Sequence, residues 1–272
     1  MRKLLANYEV ELQLRNYCYH TVKCYVGLVR KFIMYFYKHP SFISEEEIKT
    51  YLRESSSQAL LKQRIGSIKL FYDLVIKDPL KFKYIQYPRR EQHLPDVLSQ
   101  NEVRQLFAAC KNLKHKAILF LFYSTGMREG EVINLKIKDI DSELMQIHIR
   151  QAKGKKDRIV PLSEPTLKAL REYFREEKPR NYLFNGQFSD RYSATSIQQF
   201  VKKYAAIAKI KKRVYPHLLR HCSATHMVEA GTDMALIQNI LGHKSQKTTM
   251  IYAHLSNSLI SQIRTPDTAL YN

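Results

Sequence analysis

The sequence is short of cysteine, of acid and of long apolar stretches, and each shortage excludes something. Its four cysteines, Cys18, Cys24, Cys110 and Cys222, lie at irregular spacings with no C-x-x-C pair. That argues against a disulfide framework or a zinc ribbon and for a reducing compartment. No segment reaches the roughly eighteen consecutive apolar residues that a membrane span requires. Met1, Arg2 and Lys3 lead into only a short apolar run, which is not the pattern of a secretory signal. A soluble, cytoplasmic protein is expected. Acidic residues number 25 against 45 Lys plus Arg, a net charge of +20 over 272 residues. So large an excess suits a polyanionic partner better than a small neutral substrate. Up to Val97 there are 17 basic and 10 acidic residues, and beyond it 28 and 15, so both halves have reason to touch that partner. The charges are scattered along helical patterns rather than gathered in a tail, which puts them on a folded surface. What is present in ordinary amount is apolar residue, at 44% enough to bury a core. The length suits two modest domains.

The first ninety residues read as helices. Leu4, Leu5, Tyr8, Val10, Leu12 and Leu14 suggest a first helix ending near Arg15 to Tyr17. Tyr19, His20 and Thr21 can cap a second that carries Val22, Tyr25, Val26, Val29, Phe32, Ile33 and Phe36 and closes at Pro40. Ser44 with Glu47 is a capping-box pattern for a third helix through Leu52. Ala59 to Val75 supplies a fourth, and four helices with short connections make a bundle. Residues 83–98 hold two prolines, clustered charge and little periodicity, and read as a linker. Ser99 then caps a helix with Glu102 at the reciprocal position.

The second half opens with two helices, 100–110 and 115–123, after which Gly126 breaks the pattern so that a new helix begins near Arg128. Arg128 and Glu131 fall on one face of it; by themselves they would be read as an ordinary ion pair. Gln146 to Ile149 and Arg158 to Leu162 alternate on either side of a polar, glycine-bearing turn, which predicts a β-hairpin. Lys153, Lys155 and Lys156 stand at that turn. Helices follow over 163–177 and 195–207, with a basic face around Lys202, Lys211, Lys212 and Arg213 that is read as a DNA-backbone contact, a solvated face being nearly as good a reading.

The chemistry gathers between Tyr215 and Leu255. His217 and Arg220, three residues apart on a helix, share a face and suit a phosphate diester. His243 and Tyr252 come later, and a phenol held in line with phosphorus beside cations is a competent nucleophile. His217, His221 and His226 also raise zinc, because histidines four apart on a helix can chelate it, but the ligand set is read as incomplete.

The stretch resembles the signature of the tyrosine recombinase (phage integrase and Xer-type) family. Its H-x-x-R appears as His217-Leu218-Leu219-Arg220, its L-G-H as Leu241-Gly242-His243 and its distal tyrosine as Tyr252. Ser124 to Val132 is similar to the box holding the family's first catalytic arginine, here Arg128, with Glu131 matching the acid that supports it and Gly130 where Ser is commoner. The hairpin resembles the one whose lysine reaches the scissile phosphate. Lys153 stands at that position, after Ala152 in place of a glycine, and Lys155 and Lys156 become backbone-phosphate contacts. Residues 16–21, 68–72 and 94–99 resemble parts of the family's core-binding domain and linker.

The resemblance implies a mainly α fold with a small β-hairpin or sheet. An N-terminal helical core-binding bundle occupies 1–86, a linker 87–98, and a mixed α/β catalytic domain 99–272. Separately, the charge on both halves and the linker between them would let the two domains clamp a duplex. The resemblance further implies that Tyr252 attacks a phosphodiester to leave a 3′-phosphotyrosyl enzyme and a free 5′-hydroxyl. Arg128 and Arg220 would neutralise the phosphate oxygens and Lys153 would protonate the leaving oxygen. His217 would accept or position the tyrosine proton, and His243 would donate to the phosphate. No metal or nucleotide cofactor is called for. Strand exchange implies a homotetramer on a double-stranded DNA site, passing through a Holliday junction. The apolar face of Leu259, Ile260 and Ile263 would dock on a neighbour or on its own domain. The chemistry also resembles that of a type IB topoisomerase, and a DNA-binding protein with a relic site is a further reading. Integration or excision of mobile DNA and chromosome dimer resolution are both open.

Overall fold

The computed structural model describes residues 2–88, 96–150, 157–243, 245, 249, 250 and 252. The chain divides into two compact units, Met1–Gln92 and His93–Asn272.

The first unit holds four helices, α1 (Arg2–Leu14), α2 (Tyr19–Phe36), α3 (Glu45–Arg53) and α4 (Gln58–Phe71). In α2 the apolar residues Val22, Val26, Val29, Phe32 and Ile33 recur at helical period and are all buried. They face Tyr8 and Leu12 of α1, Ile48 and Tyr51 of α3, and Ile65, Ile68 and Phe71 of α4. Phe32 lies edge-on to both Tyr51 and Tyr72. A side chain of that size, fully buried, contributes about 2–3 kcal/mol. Tyr8 and Tyr72 bring hydroxyls into this core and satisfy them on carbonyls, donating to Ser67 at 2.8 Å and Pro40 at 2.6 Å.

The Ser44–Glu47 capping box forms at the start of α3. The start of α2 differs from expectation. Cys18 is the N-cap and makes no side-chain cap bond, while Thr21 Oγ1 lies 3.1 Å from Cys18 Sγ instead. That helix stops before Pro40, where Tyr37 turns left-handed (φ 50°) and donates its N–H to Ile33. The fourth helix runs to Phe71 and continues as a π turn over Tyr72–Ile76 rather than as α-helix.

The second unit carries α5 (Gln100–Ala109), α6 (Leu113–Thr125), α7 (Glu129–Asn134), a three-stranded sheet, α8 (Glu164–Glu177), α9 (Ala194–Ile207), α10 (Pro216–Glu229) and α11 (Met234–Leu241). Ser99 and Glu102 make the expected capping box on α5. In α6, Ala117, Ile118, Leu119, Leu121 and Phe122 point in several directions and are all fully buried, so this helix is the axis of the unit. It packs chiefly against α8 and α10.

The sheet is antiparallel in the order β1 (Ile140–Asp141), β2 (Gln146–Ile149), β3 (Arg158–Pro161). Ile147 pairs with Val160 and Ile149 with Arg158. The pairing puts Arg158 on the same face as the buried Val160 and leaves Ile159 53% exposed. The expected hairpin is therefore present with its inward face carrying an arginine. Its turn, residues 151–156, lies outside the described residues. Strand β1, two residues long, is too short to leave a periodic signal.

Candidate active site

Two left-handed glycines frame the site. Gly126, at φ 60°, ends α6, and Gly242, at φ 62°, ends α11. A β-carbon on Gly126 would stand 2.6 Å from Leu241 Cδ2, so the position needs glycine for space as well as for its dihedral. Each glycine turns its carbonyl toward an arginine: Gly126 accepts from Arg220 Nη1 and Gly242 accepts from Arg128 Nη2 at 3.2 Å.

Arg128 precedes α7, and its backbone N–H donates to Glu131 at 2.8 Å while its Nη1 donates to the same carboxylate at 2.9 Å. Glu131 is also gripped by Arg158 through two hydrogen bonds, 2.9 and 2.7 Å. Burial by itself would raise this carboxyl. Arg158 and then Arg128 outweigh burial and hold it at about 2. Arg158 Nε donates to the Ile240 carbonyl at 2.7 Å, tying β3 to the end of α11.

Arg220 comes from α10, which Pro216 starts at a position where a missing N–H costs nothing. Its side chain is 1% exposed. Besides Gly126 it donates from Nη2 to Leu241 O at 2.6 Å and to His243 Nε2 at 3.0 Å. Among the described residues its Nε has no partner and no carboxylate pairs with it. Burial, then Arg128, pull its pKa down to about 10, so it is still a cation at neutral pH. A buried, uncompensated guanidinium favours an anion at this spot.

His243 accepts from Arg220 at Nε2, which leaves Nδ1–H to donate to Thr249 Oγ1 at 3.0 Å. Burial, Arg220 and Arg128 lower its pKa to about 4. Tyr252 is 2% exposed and packs among Ala224, Val228, Ile237 and Leu241, with its ring stacked over His243 at 6.2 Å. Burial raises its pKa, and Arg220 and Arg128 oppose the rise. Its hydroxyl lies 3.1 Å from His221 Nδ1. The sequence assigned this proton to His217. That residue is instead exposed, on a cleft of about 870 Å³ also lined by Arg128, Gln198, Lys202 and Arg213.

Residues 96–258 match the phage integrase family, and residues 4–82 match its N-terminal SAM-like domain. The chain is 32% identical to tyrosine recombinase XerA of Pyrococcus horikoshii, over 93% of this chain and 89% of that protein. The crystal structure of XerA recombinase superposes with a TM-score of 0.59 at 31% identity, covering 97% of this chain and 99% of that one. That of XerH site-specific recombinase bound to difH substrate, a pre-cleavage complex, gives 0.72 at 24% identity, over 91% and 79%, and is a likeness of fold. The chain belongs to the phage integrase family. It is a tyrosine recombinase, an enzyme of DNA breaking and rejoining.

Of the recombinase's expected site residues, the fold gathers Arg128, Glu131, Arg220, His243 and Tyr252 around the ends of α6, α10 and α11, with His217 at the rim. Lys153, Lys155 and Lys156 lie outside the described residues, as do Leu259, Ile260 and Ile263 of the tail. Lys202, Lys211 and Arg213 are exposed. Lys212 is already engaged: its Nζ donates to Val97 O and to Glu102, both at 2.8 Å. Two residues of the site were given no catalytic role from the sequence, Arg158 and His221, the latter having been weighed only as one of three histidines in an incomplete zinc set. His221 had a signal, since it lies four residues after His217 and so shares its helix face. No helix among the described residues is long and apolar enough to cross a membrane.

Proposed function

We propose that Tyr252 is the nucleophile of a site-specific recombinase that cuts each strand of a double-stranded DNA site through a 3′-phosphotyrosyl linkage and rejoins it to another strand. The observation that carries this reading is Arg220, a buried cation that pairs with no carboxylate among the described residues, close enough to the buried Tyr252 phenol for the two charges to act on each other. A scissile phosphate would supply the missing anion. Arg128 and Arg220 would then take the charge that develops on its non-bridging oxygens, where fixed donors lower the barrier by several kcal/mol. Lys153 serves as general acid for the leaving 5′-oxygen. His217, on the cleft beside Arg128, contacts the phosphate. His243, whose two ring nitrogens are engaged by Arg220 and Thr249, would exchange one of them to donate to it.

The bundle over 1–86 is assigned to DNA binding and 99–272 to catalysis. Exposed Lys202, Lys211 and Arg213, with Lys155 and Lys156, take backbone phosphates. Exchange between two duplexes needs four active sites, hence a homotetramer on DNA in the cytoplasm and a Holliday junction between the two rounds of cleavage. Leu259, Ile260 and Ile263 are assigned to contact with a neighbouring subunit. A DNA duplex nicked beside the cleavage point traps the covalent intermediate. Wild type is expected to accumulate an adduct resistant to denaturant, and Tyr252→Phe to bind the same DNA without forming one. An adduct formed by Tyr252→Phe would refute the assignment.

A further inference from the structure

Tyr252 presents a chemical difficulty that the recombinase reading leaves open. A phenol with burial-raised pKa keeps its proton at neutral pH, and at 2% exposure water has little access to remove it. The proton must leave as the oxygen bonds to phosphorus, so an acceptor has to be in place within the protein.

Among the described residues, the group within hydrogen-bond reach of the hydroxyl is His221 Nδ1, at 3.1 Å. The two rings meet at 5.6 Å between centroids, inclined at 50°. His221 directly follows Arg220 on α10, and the ring of His217, one turn earlier, packs against it edge-on at 4.6 Å. His217 has no hydrogen bond to Tyr252.

We propose that His221 is a catalytic residue of the cleavage step: its Nδ1 takes the Tyr252 hydroxyl proton as the phenolic oxygen attacks phosphorus, and returns it when the strand is resealed. This rests on the recombinase reading above. The bond formed joins Tyr252 Oη to phosphorus, and the bond broken joins phosphorus to the 5′-oxygen of the next nucleotide. The Oη proton moves to His221 Nδ1, and the 5′-oxygen takes a proton from Lys153. Resealing reverses each transfer, so no other reactant is consumed.

The surroundings suit the task. Burial, His217 and Arg220 lower the imidazole's pKa to about 4, so the ring is uncharged at neutral pH, and in the tautomer with its proton on Nε2 the Nδ1 lone pair accepts from the Tyr252 hydroxyl. The negative phosphate entering beside Arg220 favours an imidazolium there, which strengthens the base only once substrate is bound.

Single-turnover cleavage of the nicked duplex tests this with His221→Ala, His221→Asn and His217→Ala. An asparagine carbonyl can accept the hydroxyl's hydrogen bond from about the Nδ1 position but cannot take the proton. The expected result is a roughly 100-fold slower cleavage by both His221 variants, with DNA affinity in a mobility-shift assay unchanged, which also shows that the variants fold. A fluorinated tyrosine at position 252, whose phenol is more acidic, should rescue His221→Ala by a larger factor than it alters wild type. His221→Asn cleaving at the wild-type rate would show that the contact only orients the hydroxyl. His221→Ala cleaving as fast as wild type, or faster, would show that it merely stores the nucleophile. Either outcome overturns the proposal, as does absence of fluorotyrosine rescue. Wild type failing to form any adduct would instead overturn the recombinase reading itself.

Discussion

Arg158 and Glu131 form a two-pronged ion pair whose side chains are 10% and 8% exposed. It joins β3 to α7, and through the Arg158 Nε bond to Ile240 it also holds α11. Arg158→Ala would leave a buried carboxylate held only by Arg128. The expected loss is about 3–5 kcal/mol of unfolding free energy, read from the midpoint of a urea titration. Arg158→Lys should recover only part of it, because an ammonium cannot reproduce the fork.

The same carboxylate gives the fold an acid limit. Its pKa falls from 4.5 to about 2 on folding. A group with a depressed folded pKa stabilises the protein above its unfolded value and ceases to as pH drops through the folded value. Between pH 4.5 and 2 this one residue should remove about 3 kcal/mol of stability. Glu131→Gln would be less stable at pH 7 but show a shallower decline over that window in urea melts taken at successive pH values.

Gly126→Ala should cost about 1–2 kcal/mol for the left-handed dihedral and more for the contact with Leu241. Leu241→Ala opens that space at its own cost. In a double-mutant cycle the pair should therefore lose less stability than the two single losses added together. Simple additivity in denaturant unfolding would contradict the steric account.

His115 tests electrostatics away from the catalytic centre. Its ring stacks on Phe200 at 4.1 Å and its nitrogens face Tyr204 and Tyr192 at 3.1 and 2.9 Å. Burial, then Lys114 and Lys203, lower its pKa to about 4. The unfolded chain protonates near 6.5 and the folded one near 4, so stability falls as pH drops through that interval. Imidazole nitrogen shifts in NMR should show His115 neutral at pH 5, and His115→Phe should lessen the slope of stability against pH there.

The lysines should separate by salt dependence. Lys211→Ala, an exposed residue, is expected to lower DNA affinity and reduce the slope of log K against log salt by about 0.9. Lys212→Ala, whose charge serves Val97 and Glu102, should leave the slope near wild type and lower the melting temperature instead.

What the sequence disclosed and what it hid differ for physical reasons. Ser44 with Glu47 and Ser99 with Glu102 were readable because a capping box is local, set by residues three apart. Gly126 was readable as a helix stop because a left-handed cap leaves few alternatives to glycine. Arg158 was not. The apolar residues of its segment, Ile159, Val160 and Leu162, fall on both faces and do not say which is inward, whereas the pairing of Val160 with Ile147 puts Arg158 inside, where Glu131 meets it. The partner of Tyr252 was missed for a similar reason. His217 and His221 lie on one helix face, and which of them meets the hydroxyl depends on where the chain returns 31 residues later. Lys212 was counted as free charge because composition cannot distinguish a cation facing solvent from one satisfying a carbonyl.

Both site arginines are fastened by main-chain oxygens, those of Gly126, Leu241 and Gly242. Every amino acid possesses that oxygen, so drift at the anchoring positions cannot delete the anchor as it could delete a carboxylate. What drift can spoil is the direction in which two of those oxygens face, which is set by turns that tolerate little besides glycine. Arg220 can keep its setting through extensive change in the surrounding side chains so long as those two small residues persist, whereas Arg128 relies also on the Glu131 carboxylate.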